Sequence, residues 1–321
     1  MGCRGSEVRI LSPRPIPPQI SVDKMTPVDY SWGQESRAKK NKEAAVLVRA
    51  IAILAALTIF AAEAQGPSEQ RLDALMHKSG IWNQVVGLSA AIVGNVDKRQ
   101  KESADKLTRE QSERITIALG NAYSPEVLRS RIRASLAKRI SAADVDAALR
   151  WLESDLGRKL TLLEEASTDA PAGSSRGPAA QRLYSILSTD RRDRLERFAR
   201  AKHSGERVAA MVEGMTLASA EAFAAARGQD IPSVLDPLKR KFESDRPALV
   251  KRIYESTMLS DSYIFRTVSD SELDQYIQFL ESPAGKRYDE ALANALIGTL
   301  VASSGEAGRA IIKATDAKRG T

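Results

Sequence analysis

A 21-residue pattern that occurs twice, 128 residues apart, constrains the fold of this chain more than any other feature. Residues 140–160 read ISAADVDAALRWLESDLGRKL, and residues 268–288 read VSDSELDQYIQFLESPAGKRY. The two segments align without gaps, and six of the 21 positions are identical. An internal repeat of this kind predicts that one structural unit is used twice.

Each copy begins with the signature of a helix start. Ser141 and Ser269 are followed three residues later by an acid, Asp144 or Glu272. This spacing is typical of a capping box, which satisfies the free amides at a helix start. Apolar residues then recur on one helical face: Val145, Leu149 and Leu152 in the first copy, and Leu273, Ile277 and Leu280 in the second. The pattern predicts an amphipathic helix in each copy.

A second helix is predicted to follow each of these helices after a sharp corner. Ser154 and Ser282 are suitable N-caps, and Pro283 suits a first helical turn because no hydrogen bond is lost there. Gly157 and Gly285 lack side chains and so permit close approach of a neighbouring helix. Each copy is therefore predicted to form an αα-hairpin.

Composition agrees with a helical protein. Ala, Arg, Leu and Glu are abundant and aromatic residues make up only 5%, a balance that favours helix. We predict an all-α fold built by tandem duplication of a multi-helix unit, with each unit ending in an αα-hairpin. The expected order is a first helical unit at 65–166, a linker at 167–180 and a second helical unit at 181–315. Whether the two units form one domain or two stays open.

The segment before the first unit has the layout of a secretory signal peptide. Residues 37–64 place basic residues ahead of a short apolar stretch, Ala50–Ala62, and end in Ala-Glu-Ala. This layout predicts export to the periplasm with cleavage after Ala64. A membrane anchor is the alternative, but an uninterrupted span needs about 20 apolar residues and Arg49 shortens this one. Residues 1–36 are rich in Pro and Ser, and we expect either a disordered extension or a translation start further downstream.

The second hairpin resembles a known family. The element Phe-x-x-Ser-Pro-x-Gly-Lys at 279–286 is similar to the C-terminal helical hairpin of the bacterial domain of unknown function 2059 family, and the resemblance is best at 248–297. It implies an exported, all-helical protein, and it brings no reaction and no catalytic residues. The first copy departs from the motif, because Asp155 stands where proline is expected.

The sequence offers few groups for catalysis or metal binding. Cys3 is the only cysteine. The GSSRG stretch with Ser175 matches a nucleophile elbow in letters, yet it lies in a linker instead of between a strand and a helix. The only histidines, His77 and His203, lie at nearly corresponding positions of the two units but lack the spacing of metal ligands. We therefore predict no catalytic, cofactor-binding or metal-binding residues and no cofactor.

The charged and aromatic residues are predicted to stabilise the fold instead of forming a binding site. The formal net charge of +7 is interspersed with acids, and no nucleic-acid reader motif is present, so nucleic acid is not an expected partner. The basic stretch at 188–202 interleaves arginines with acids, as in an amphipathic helix with i, i+3 and i, i+4 charge pairs, although its basic side is a candidate for weak contact with an anionic envelope surface. Trp151, Phe279 and Tyr276 are expected in the core.

Three function classes follow from these patterns. The favoured one is a non-enzymatic periplasmic protein that acts through contacts with an unknown protein partner in the cell envelope, as a scaffold, adaptor or chaperone-like factor. The second is a module that binds anionic lipid or cell-wall polymer. The third is a hydrolase with carboxylates dispersed over several helices. A large apolar groove would favour the first class, a contiguous arginine surface the second, and a cleft with paired, desolvated carboxylates the third.

Overall fold

The computed structural model describes residues 66–102, 108–168 and 176–316. Within these ranges every regular element is a helix, which confirms the all-α prediction. In chain order the helices are α1 (Glu69–Lys78), α2 (Ile81–Glu102), α3 (Arg109–Ala122), α4 (Pro125–Leu136), α5 (Ala142–Leu152), α6 (Asp155–Thr168), α7 (Arg176–Ser185), α8 (Thr189–Ala201), α9 (Ser204–Ala226), α10 (Ile231–Ile264), α11 (Asp270–Glu281) and α12 (Pro283–Asp316). The predicted signal segment at 37–64 and residues 169–175 of the predicted linker lie outside the described residues, and residues 176–180 of that linker belong to α7.

Both predicted hairpins form. Ser141 caps α5 and Ser269 caps α11, and each serine Oγ accepts a hydrogen bond of 3.2 Å from the backbone amide three residues later. The second cap is a complete capping box, because the Glu272 carboxylate accepts a 2.8 Å hydrogen bond from the Ser269 amide. Asp144 makes no such bond and instead accepts hydrogen bonds from the Ser141 hydroxyl and from Arg287.

The two hairpin corners have the same hydrogen bonds. In the second corner Ser282 Oγ donates to the Phe279 carbonyl at 2.6 Å and accepts from the Gly285 amide at 3.0 Å. A Cβ atom at Gly285 would collide with the Phe279 carbonyl group. The predicted close approach is thus confirmed, and its partner is the last turn of the preceding helix. The first corner repeats both bonds with the same lengths, and the same collision, through Ser154, Trp151 and Gly157.

Two hydrophobic cores hold the helices together, and each combines residues from both predicted units. The first core is formed mainly by α1 to α5, but α12 contributes Tyr288, Ala291, Ala295, Leu300 and Ala307 to it. The second core is formed by α8, α11 and the end of α10, together with Leu160 from α6. The two predicted units therefore do not have separate cores, because α12 completes the core that α1 to α5 form.

The helix α9 packs against both α10 and α12. Contact between α9 and α12 relies on small residues, because a Cβ atom at Gly308 would lie 2.9 Å from the Ala222 side chain. Among the described residues, α9 is the one helix whose length and composition would allow it to cross a membrane, and 17% of its apolar window is buried. In this structure α10 and α12 both pack against α9.

Candidate functional site

The turn between α8 and α9 places His203 in an unusual backbone conformation. His203 has φ 47° and ψ 39°, which is left-handed, and it is the one non-glycine residue with positive φ in the described part of the chain. This conformation allows the chain to leave α8 and enter α9 within two residues. Left-handed backbone strains a residue that has a Cβ atom, and such strain is often found at functional sites.

The equivalent turn of the first unit uses glycine. The helices α1 and α2 are joined through Ser79 and Gly80, and Gly80 has φ +76°. The sequence has Ser-Gly at 79–80 and again at 204–205, but the left-handed residue of the α8–α9 turn is His203. Gly205 has a different role: a Cβ atom there would lie 3.0 Å from Val250 of α10. The α8–α9 turn therefore has histidine as its left-handed residue, whereas the α1–α2 turn has glycine.

His203 lies between two pockets. The larger one, about 530 Å³ in volume, is a groove between the α8–α9 turn and α10, and we call it the His203 groove. Its lining combines Pro247, Val250, Tyr254 and Met258 of α10 with charged residues from α8, α9 and α10: Glu196, Arg200, Glu206, Lys251 and Glu255. The Tyr254 hydroxyl donates a 2.7 Å hydrogen bond to the Glu196 carbonyl, which fixes one wall of the groove.

The smaller pocket, about 320 Å³ in volume, lies on the other side of His203 and faces α12. Its lining is polar and includes Lys286, from the Ser-Pro-x-Gly-Lys element, and the ion pair between Arg207 and Asp289. The structure thus brings His203 together with Lys286, a residue that the sequence had assigned to a structural corner. It places His77 elsewhere, stacked on Trp82 at 4.1 Å between ring centroids.

A partly buried ionic network lies next to this turn. Lys202 Nζ is 3.1 Å from Glu164 Oε1 of α6, and the Tyr276 hydroxyl of α11 donates to the same oxygen at 3.2 Å. Asp261, in the last turn of α10, is 9% exposed and interacts electrostatically with both Lys202 and Glu164. The network links α6, α10 and α11 to the residue that precedes His203.

Burial and charge shift the pKa values in this network. Burial, opposed by the nearby Lys202 ammonium, raises the pKa of Asp261 to about 7. Burial alone would lower the pKa of Lys202, but Glu164 and the other surrounding acidic groups outweigh it and hold that pKa well above its ordinary value. Lys202 therefore stays charged, and Asp261 is the group in this network that changes charge near neutral pH.

Sequence reasoning missed this network. The signal was present in the chain: Asp261 precedes Phe265 by four residues, so it falls on the face of α10 that carries a fully buried aromatic ring. An acid on a buried stripe needs a partner, but the sequence gives no means of finding Lys202 and Glu164 at distances of 59 and 97 residues along the chain.

The arginines of α8 are paired with acids of a neighbouring helix. Arg191 Nη1 lies 2.8 Å from Asp270, and Arg194 Nε lies 3.1 Å from Asp274. Arg197 pairs with Glu281 in the same way, so this side of α8 packs on α11. The predicted charge pairs within the helix are represented by Arg200 and Glu196. The side of α8 that was a candidate for an anionic surface therefore contacts protein carboxylates.

The remaining sequence candidates lie as follows. Trp151 and Phe279 stack at 4.7 Å, and Tyr276 is buried, so the expected core placement of these aromatic residues agrees with the structure. Ser175 lies outside the described residues. Within the described ranges, no group of three or more His, Cys, Asp or Glu residues is close enough together to hold a metal ion.

Comparisons of the chain with protein-family models, with curated proteins and with solved structures found no match. The resemblance to the domain of unknown function 2059 family stays a prediction from the Phe-x-x-Ser-Pro-x-Gly-Lys element. The geometry around His203 is therefore the basis for a functional proposal.

Proposed function

We propose that this chain is an exported, non-enzymatic helical protein that acts by binding another protein of the cell envelope through the His203 groove. The single observation that carries the proposal is the composition of this groove, in which apolar side chains of α10 lie beside charged residues of both signs. Protein–protein interfaces have this combination of an apolar centre and a polar rim. The partner that fits is a protein segment that inserts an apolar side chain between Pro247 and Met258 and carries charges beside it.

Two further features support this proposal. His203 borders the groove in a strained conformation, although the chain solves the same turn with Gly80 in the first unit. The desolvated carboxylates that would favour a hydrolase are engaged with Lys202 and Tyr276, and Asp261 and Glu164 are not among the residues that line the two His203 pockets. Location in the periplasm, the duplication of the unit and the family resemblance belong to this proposal as predictions from the sequence.

Site-specific photocrosslinking tests the groove. A photoreactive amino acid at position 251, in the groove, is expected to yield a crosslinked protein in the envelope fraction, whereas one at Ile117, which is 62% exposed on α3, is expected to yield none. Met258→Glu should abolish the crosslink from position 251 because it places a charge among the apolar lining residues. An unchanged crosslink in the Met258→Glu variant would contradict the proposal. N-terminal sequencing of the protein recovered from the same fraction checks cleavage after Ala64.

A second candidate function is binding of an anionic envelope component, and one surface favours it. A groove of about 610 Å³ between α4 and α12 is lined by Arg131, Lys138 and Arg139 together with small residues. Arg131 pairs with Glu306, which leaves Lys138 and Arg139 as the cations at the end of α4. Binding to phosphatidylglycerol vesicles that is lost in the double variant Lys138→Glu/Arg139→Glu, with no protein crosslink from position 251, would establish this function in place of the first.

A further inference from the structure

The two hairpins contact each other through reciprocal ion pairs. Arg287 of the second hairpin donates two hydrogen bonds to Asp144 of the first, at 2.7 and 2.9 Å. Lys159 of the first hairpin donates two to Glu272 of the second, also at 2.7 and 2.9 Å. Positions 144 and 272 correspond in the sequence repeat, and so do positions 159 and 287. The acidic residue of each hairpin thus forms an ion pair with the basic residue of the other hairpin.

The aromatic residues at the two corners also contact each other across the interface between the hairpins. Trp151 and Phe279 correspond in the repeat, and their rings stack on each other at 4.7 Å with an angle of 9° between the planes. Together with the reciprocal ion pairs, this contact between two equivalent residues indicates a two-fold axis that passes between them. Contacts in which i meets j and j meets i define a self-complementary, or isologous, interface.

The neighbouring helices carry a further equivalent pair. Arg71 of α1 forms an ion pair with Asp146 of α5, and Arg194 of α8 forms one with Asp274 of α11. Asp146 and Asp274 are among the six identical positions of the repeat. Each hairpin is therefore joined to a neighbouring helix, α1 or α8, through the aspartate at the same position of the repeat.

We propose that the two hairpins carry one self-complementary surface, present twice in the chain and related by a pseudo-two-fold axis between Trp151 and Phe279. The partner that fits this surface is another hairpin of the same type, so the chain is the covalently joined form of a hairpin dimer. This proposal is independent of the His203 groove, since none of its six contact residues lines that groove.

Charge reversal in the full-length protein tests the reciprocity. The single variants are Asp144→Arg, Lys159→Glu, Glu272→Arg and Arg287→Glu, and thermal unfolding is the measurement. Two double variants reverse a pair across the interface: Asp144→Arg/Arg287→Glu and Lys159→Glu/Glu272→Arg. Two matched controls reverse both charges of one hairpin: Asp144→Arg/Lys159→Glu and Glu272→Arg/Arg287→Glu.

In each cross-interface double variant, the loss of unfolding temperature is expected to be about 2–4 °C smaller than the sum of the losses in its two single variants. The recovery should be similar for the two pairs. In the two controls the changes in unfolding temperature should be additive. The two reversed charges of a control belong to the same hairpin, and each of them contacts the other hairpin instead of its companion. The lost helix caps do not affect this comparison, since their cost is present in the single variants as well. Coupling in only one of the two cross-interface pairs, no coupling in either, or equal coupling in the controls would overturn the proposal.

If a charge-reversed chain fails to fold, neutral variants give the same cycle by urea unfolding. These are Asp144→Asn with Arg287→Met, and Glu272→Gln with Lys159→Met. Their coupling is expected to be smaller but again similar for the two pairs, and a difference of threefold or more between them would overturn the proposal.

Discussion

The two hairpins have the same corners but different surroundings. Ser154 and Ser282 make matching hydrogen bonds, whereas the helices that lead into the two hairpins bury different chemistry. The last turns of α4 bury Ile132 and Leu136 completely. The last turn of α10 buries Asp261. The backbone arrangement of the corner thus occurs twice, while the side chains around the two corners differ.

This difference indicates where the second unit is specialised. The left-handed residue of the α1–α2 turn is Gly80, whereas that of the α8–α9 turn is His203, which is strained. Next to the second turn lies the network of Lys202, Glu164 and Asp261, and a buried charge such as Asp261 adds stability less reliably than packed apolar residues do. The strained His203 and this charged network are both less stable choices, which the proposed binding role of the His203 groove would explain.

The largest expected effect tests the shared corners. Gly285→Leu and Gly157→Leu should each lower the free energy of unfolding by about 3 kcal/mol, the upper end of the usual cost of overpacking, because even a Cβ atom collides with backbone there. Gly298→Ala is the matched control on α12, where no atom lies within 4 Å, and it should stabilise the helix. Urea unfolding measures all three variants.

Lys286→Ala completes this comparison. An exposed lysine makes few stabilising contacts, so its loss should cost at most about 0.5 kcal/mol. Unchanged stability in the Gly285→Leu variant, combined with loss of the envelope crosslink in Lys286→Ala, would show that the Ser-Pro-x-Gly-Lys element is a binding site instead of a structural corner.

An intermediate effect should distinguish the two units by pH. Folded protein keeps the Asp261 proton up to its pKa of about 7, whereas the unfolded chain releases it near 3.8. More protons are then bound in the folded state between these values, so stability should fall as pH rises from about 5 to 7. Glu272 acts in the opposite direction but only at lower pH, since its hydrogen bond with Lys159 lowers its pKa to about 2.

The variant Asp261→Asn should flatten this pH dependence. Its unfolding temperature at pH 8 is expected to equal or exceed that of the wild-type protein, because no charge is then buried. Ile132→Val, at a buried position of α4, is the control and should lower stability equally at pH 5 and pH 8. A wild-type protein with the same unfolding temperature at both pH values would contradict the role assigned to Asp261.

The smallest effect concerns the two left-handed residues. His203→Gly should stabilise the protein slightly, by up to about 1 kcal/mol, because glycine adopts positive φ without strain. Gly80→His should destabilise it, since the first-unit turn is crowded by Glu165 and Thr161. Stability is measured by urea unfolding, and crosslinking from position 251 is followed in parallel. A less stable His203→Gly variant would mean that the histidine side chain supports the turn.

The corners could be predicted from sequence and the site could not, for a physical reason. Capping at Ser141 and Ser269, and the glycine contacts at Gly157 and Gly285, depend on residues within six positions of one another. Local spacing therefore contains the information. Lys202, Glu164 and Asp261 lie far apart in the chain, and only the packing of α6, α8, α10 and α11 brings them together. The sequence signalled His203 only as one of two histidines, without its backbone strain.

The position of α12 in the first core determines when this protein can fold. Leu72 and Leu300 belong to the same core, although they are separated by 228 residues. Contacts between such distant residues form slowly, because a long segment of chain must be ordered before they are made. The first unit therefore stays incomplete until the C-terminal helix has been synthesised. A chain that ends near residue 166 would expose an unfinished apolar surface and would be prone to aggregation.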